Sequence, residues 1–237
     1  MTVLILGAVV FAVLFAGFSA LGVWQVQRLA WKQELIRQVD ARIHAAPVAA
    51  PAPDQTITRQ ADQYRRVVVS GRFDHSREAL VKAVTDLGPG YWVMTPLMTD
   101  RGFTLLINRG FVPSERQKPA DRAAGQVEGE RTVVGLLRLT EPDGGFLRAN
   151  DPAGGRWFSR DVAGIAKARG LSGPVAPYFI DADATPNPGG WPRGGLTVVR
   201  FANSHLIYAL TWFGLALMSA AGFVLFAREE KRRRAAR

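Results

Sequence analysis

The chain has 237 residues, 48% of them hydrophobic, a formal net charge of +10, three histidines and no cysteine. That length suits one core of ordinary size with additions rather than several domains. The missing cysteine excludes disulfides, thiolate zinc sites and Cys-x-x-Cys redox chemistry, and it argues against copper delivery through the soft thiolates that Cu(I) prefers.

Thr2 to Val23 contains no charged residue. It is longer than the roughly 20 apolar residues needed to cross a bilayer core. It has no basic leader, and its apolar run exceeds that of a signal peptide, so an uncleaved transmembrane helix is expected over 1–24. A helical extension is expected over 25–44, because Leu21, Trp24, Arg28, Trp31 and Leu35 recur on one face to about Gln38. Gln25 lies off that face and receives no role. Ala8, Ala12, Ala16 and Ala20 form a row of small residues that suits close approach of a second helix, with Ala216 and Ala220 as its counterpart.

The Ala/Pro-rich stretch within 45–60 reads as a stiff, extended linker. From 61 to 203 the pattern turns strand-like. Strands are expected over 64–73, 79–85, 91–98, 103–108, 132–139, 178–180 and 196–200, rich in Val, Leu, Ile and aromatics. Leu87-Gly88-Pro89-Gly90 and Asp100-Arg101-Gly102 signal turns between antiparallel neighbours. A short helix is expected over 161–169, with Ser159 as its cap and Gly170 at its end. Gly71 reads as a bulge or close approach, and Gly110 as a backbone position that forbids a side chain. Arg109 is expected to pair with a carboxylate of the domain rather than to bind a partner. His75, His44, Asp181 and Asp183 are expected to be solvated.

A second span is expected over 204–227, followed by a basic tail over 228–237 containing Arg228, Lys231, Arg232, Arg233 and Arg234. The tail suggests termini on the cytoplasmic side and the domain outside. Arg28, Lys32, Arg37 and Arg42 dissent, but long domains translocate largely regardless of charge. The fold class is therefore α+β: two transmembrane helices flanking a mostly antiparallel, β-rich periplasmic domain, in contact with the lipid bilayer. No arginine–aromatic patch or known motif supports nucleic-acid binding despite the charge.

The chemistry concentrates at the span edges. His205, Tyr208, Ala209 and Trp212 fall on one helical stripe. A neutral imidazole there is a candidate metal or haem-iron ligand, with a hydroxyl and a flat ring beside it. The same residues also suit an aromatic belt at a membrane surface. The elbow, phosphate-loop and zinc-protease motifs of common hydrolases and NTPases are absent, so no catalytic residue is assigned and the chain is not read as an enzyme.

Four stretches taken together resemble the Surfeit-locus family of cytochrome oxidase assembly factors. They are Leu21-Gly22-Val23-Trp24-Gln25-Val26-Gln27-Arg28 with Trp31-Lys32; Tyr64 to Phe73; Leu106-Ile107-Asn108-Arg109-Gly110-Phe111-Val112-Pro113; and Asn203-Ser204-His205-Leu206-Ile207-Tyr208-Ala209-Leu210-Thr211-Trp212-Phe213. The resemblance covers nearly the whole chain in order. It implies assembly of a haem-copper cytochrome c oxidase and, in bacterial members, binding of haem a and its insertion into the largest oxidase subunit, with haem a synthase as a further partner. It places the haem-linked histidine at His205, which becomes both the cofactor-binding and the metal residue, accompanied by Tyr208 and Trp212. Arg28, flanked by Trp24 and Trp31, can pair with a carboxylate such as a haem propionate; the competing reading, an arginine reaching toward headgroups or stacked on tryptophan, is the stronger. With no Arg/Ser-rich transit peptide ahead of the first span, a bacterial inner membrane is expected. The alternative function is a cofactor-free membrane scaffold that stabilises oxidase subunits.

Overall fold

The computed structural model describes residues 2–145, 147–199 and 201–236. The chain divides into two compact units, Met1–Gln38 with Arg200–Arg237, and Val39–Val199.

The first unit is built from two helices, α1 (Thr2–His44) and α4 (His205–Ala235), both long and apolar enough to cross a membrane. They pack antiparallel through notches at glycine. A Cβ on Gly7 would overlap the Phe226 ring, one on Gly22 would lie 2.6 Å from Phe213, and one on Gly222 would lie 2.9 Å from Phe11. Phe11 also meets Phe223 at 6.1 Å, and Phe18 stacks on Trp212 at 5.8 Å. The alanine row does not form this seam: Ala12, Ala16 and Ala20 are exposed, as is Ala220, whereas Ala216 is buried. The reason is geometric. A row at every fourth residue drifts about 40° around the helix per step, whereas a seam between two long helices needs alternating steps of three and four. Gly7, Phe11, Phe18, Gly22 and Gln25 have that spacing.

The second unit centres on a seven-stranded mixed sheet of β1 (Val48–Ala49), β2 (Arg66–Phe73), β3 (Ala79–Thr85), β4 (Gly88–Thr99), β5 (Thr104–Pro113), β6 (Glu130–Leu139) and β7 (Val175–Ala182). β2, β6, β7, β5 and β4 pair in that order, and β4 pairs back with β2, closing a five-stranded barrel. β1 and β3 are added outside β2 and β4. The sheet is less uniformly antiparallel than expected, since β1–β2 and β5–β7 are parallel. β5 and β7 are distant in sequence and need no tight hairpin, so nothing in the local turn signals betrays their direction.

All five barrel strands contribute to one core, through Val67, Val69, Leu97, Leu105, Ile107, Val133, Leu137, Tyr178 and Ile180. Burial of each such side chain contributes about 1.5–3 kcal/mol. A second cluster lies under α3 (Val162–Ala168) and joins Met94, Leu106, Trp157, Ile165 and Phe179. The helix is capped by Asp161, whose carboxylate accepts from Gly164 N at 3.0 Å. Ser159 instead accepts from Gly144 N and Asn150 Nδ2.

The Ala/Pro stretch is extended as expected but is held on the sheet. Ala50 is buried, its N–H donates to Val68 O at 3.0 Å, and the Tyr178 hydroxyl donates to Pro51 O at 2.6 Å. Conversely, 196–199 forms no strand, while Arg200 lies outside the described residues. Gly71 is the close approach expected: a Cβ there would overlap Met98 O where β2 crosses to β4.

Candidate functional site

α4 begins at His205, with Ser204 at the cap position and no side-chain cap bond. The imidazole is half-buried. Its Nδ1 lies 2.8 Å from Gln25 Oε1 on α1. An amide oxygen only accepts, so Nδ1 carries a proton, and in the neutral imidazole this leaves the lone pair on Nε2. A ligating histidine commonly has this arrangement, with one nitrogen fixed by a hydrogen-bond acceptor and the other left to a metal.

Gln25 is 8% exposed and continues the seam of Phe18 and Gly22. In the sequence Gln25 lies off the conspicuous Trp24–Arg28–Trp31 face of α1, which hides its role. The available signal was a polar residue three positions from Gly22 on the packing side of an apolar helix, where an amide needs a partner.

His205, Ala209 and Trp212 turn toward α1, with Ala209 buried and Trp212 stacked on Phe18. Tyr208 stands at the rim of that stripe and is 53% exposed. Trp24 is equally exposed. Arg28 stacks on Trp31, its guanidinium carbon 4.1 Å from the ring centroid. The structure thus joins His205 to Gln25 and Trp212 to Phe18, and it leaves Tyr208, Trp24 and Arg28 on outward surfaces.

Among these residues His205 is the one that would hold a haem iron, which would accept one imidazole nitrogen. Nε2 supplies a neutral nitrogen donor, and Gln25 holds the ring in the tautomer that keeps this donor unprotonated. Among the described residues, no group of three or more His, Asp or Glu side chains is arranged to hold a bare metal ion.

Two polar clusters in the barrel unit differ from expectation. Asp181 is buried rather than solvated. Its carboxylate accepts from Asn108 Nδ2 at 2.7 Å, Arg138 Nη1 at 2.8 Å, Arg160 Nη1 at 3.1 Å and Thr197 Oγ1 at 2.9 Å. Strand alternation pointed it away from the barrel interior, but that outer face is covered by Arg138 and Arg160, which lie over Phe179. Asp183, two residues on, caps Thr185 N.

His75 is likewise partly buried. Its Nε2–H donates to Val127 O at 2.9 Å, and its Nδ1 accepts from Arg109 at 3.4 Å. Burial, joined by the neighbouring Arg109 charge, lowers its pKa, although the Val127 carbonyl opposes the shift. His44 is exposed and bonds only within its own helix turn. Gly110 has φ +126°, and a Cβ there would overlap Arg193 O, so this position of β5 does require glycine.

The SURF1 family model matches residues 12–217. Surfeit locus protein 1 of Rattus norvegicus is 39% identical over 228 residues, covering 90% of this chain and 72% of that protein. Surfeit locus protein 1 of Homo sapiens is 39% identical over 213 residues, covering 83% and 69% respectively. A SURF1-like protein of Drosophila melanogaster is 34% identical over 231 residues, covering 90% and 74%.

Proposed function

The chain belongs to the SURF1 family, and on that premise we propose that it assists assembly of a haem-copper cytochrome c oxidase by holding haem a as cargo for the largest oxidase subunit. The observation that carries the haem reading is the 2.8 Å bond between His205 Nδ1 and Gln25 Oε1. It leaves Nε2 as an unprotonated donor at the start of an apolar helix. Bound haem would supply an iron centre that accepts this nitrogen. Trp212 and Tyr208 offer ring surface nearby on the same helix, and Trp24 and Arg28 flank Gln25 on the other. The guanidinium of Arg28 is exposed and so accessible to a propionate. The residues are assigned holding and release, without bond-making chemistry, so the protein is not an enzyme in this account. The oxidase largest subunit and haem a synthase are its proposed partners.

The two apolar helices support a multi-pass membrane protein, and the proposed membrane is the bacterial inner one. Exposed Val9, Val13, Ile207, Leu217 and Leu225 suit a lipid environment. The basic end of α4 supports termini in the cytoplasm and the barrel unit in the periplasm. Even there, Arg233 and Arg234 pair with Glu229 and Glu230 one turn earlier.

One observation favours a cofactor-free scaffold instead. The His205–Gln25 bond also ties two helices together, which is a sufficient structural reason for both residues. The test is to replace the chromosomal gene with a His205→Ala form and measure oxidase yield and haem a content in membranes. The haem reading predicts intact levels of the variant protein with a reduced haem a signal from the oxidase. Unchanged haem content would favour the scaffold.

A further inference from the structure

Arg109 is 2% exposed, and among the described residues no carboxylate lies within ion-pair distance of it. Its contacts are neutral. The guanidinium donates to Gly125 O, to Asn187 Oδ1 at 3.1 Å and to His75 Nδ1 at 3.4 Å, and it lies 4.9 Å from the centroid of Phe73. Three of its five N–H donors are thereby engaged. Glu78, the acidic group whose charge acts on Arg109, is already held by both terminal nitrogens of Arg122. This corner of the domain therefore buries one positive charge more than it neutralises. Burial weakens the guanidinium's hold on its proton, taking the pKa down to about 10. Buried charges are ordinarily paired, because removing an ion from water costs several kcal/mol.

The charge lines a cavity of about 470 Å³. Val127, Val134 and Pro186 give the cavity apolar wall, and Arg131, Glu130 and Asp183 give it charged groups. Glu130 and Arg131 are exposed and opposite in sign; Asp183 keeps its charge, its carboxylate accepting from Thr185 N, and among the described residues it makes no ion pair with Arg109. The uncompensated cation is the buried one.

We propose that this cavity binds a small organic carboxylate, with its anionic end on Arg109 and its aliphatic part against Val127, Val134 and Pro186. One buried guanidinium without an ion-pair partner matches a monoanion, and the apolar wall matches a short hydrocarbon tail. A phosphate dianion would bring two charges to one cation and no apolar surface. The site is independent of His205 and of the haem reading.

The test is thermal unfolding and titration calorimetry of the full-length protein in detergent. Butyrate is the probe, compared with chloride, inorganic phosphate and n-butylamine at matched ionic strength. Butyrate should bind saturably and raise the unfolding temperature, whereas the other three should not. Arg109→Gln should weaken butyrate binding by about tenfold or more. Because that variant alters a buried group, Asn187→Asp provides the second arm. It sets a carboxylate beside the guanidinium, at the loss of the hydrogen bond from Asn187 Nδ2 to Pro192 O. It should abolish butyrate binding while the protein still unfolds cooperatively. Equal stabilisation by chloride or phosphate, or butyrate binding that Asn187→Asp leaves unchanged, would overturn the proposal.

Discussion

Gln25 and His205, 180 residues apart, meet at 2.8 Å through Oε1 and Nδ1, and this bond fixes which imidazole nitrogen can face a ligand. Gln25→Leu keeps the size and the packing of α1 but removes the acceptor. Loss of such a partner typically weakens metal affinity by about 10–100-fold. Titration of the purified variant with haem should show that weakening, with its secondary structure unchanged. Gln25→Glu should retain binding, because a carboxylate also accepts from Nδ1.

The seam that brings these two residues together depends on Gly22, whose Cβ position lies 2.6 Å from the Phe213 ring. Gly22→Leu should force the helices apart next to Gln25. Cysteine crosslinking between engineered positions on α1 and α4 should drop in this variant, and haem affinity should fall with it. Ala16→Leu, on an exposed face of the same helix, should change neither.

In the barrel unit, Asp181→Asn removes the negative charge between Arg138 and Arg160. Breaking a buried pair by deleting one partner costs about 3–5 kcal/mol. A denaturant titration in detergent should show a loss of this order. Gly110→Ala should also be costly, by about 2–4 kcal/mol from positive-φ strain combined with overlap on Arg193 O.

His75 gives stability a pH dependence of defined sign. Its folded-state pKa lies below the ordinary value because of burial, with the Arg109 charge adding to the shift and Glu78 and Arg122 acting in opposite directions. The unfolded chain therefore takes up a proton at a higher pH than the folded chain does. The contribution is fully present above the ordinary histidine range of about 6.5. It is lost as the pH falls through that range toward the folded-state value. Unfolding free energies measured between pH 7.5 and 5 should decline, and His75→Gln should flatten the slope in that interval.

Much of the fold was legible because its signals are local. Six of the strands follow β-branched and aromatic runs, the β4–β5 hairpin follows its Asp-Arg-Gly turn, and the two long helices follow uninterrupted apolar stretches. The barrel closure was not legible. It depends on Gly71 letting β2 pair with β4 as well as β6, and a lone glycine announces a close approach without naming the strand that makes it. Asp181 misled for a related reason. Strand alternation gives the side a residue faces, but it does not say that two arginines from β6 and the segment before α3 will cover that side. At the helix edge, His205 was singled out by its place in an apolar segment, whereas Gln25 depended on knowing which face of α1 meets α4. The alanine row suggested the wrong one.

The most direct test of the central claim is the absorption spectrum of the detergent-purified protein after co-expression with haem a synthesis, set beside that of His205→Ala. Haem a bands are expected in the parent protein and their loss in the variant, with both proteins eluting at the same size. Full haem occupancy in His205→Ala would contradict it.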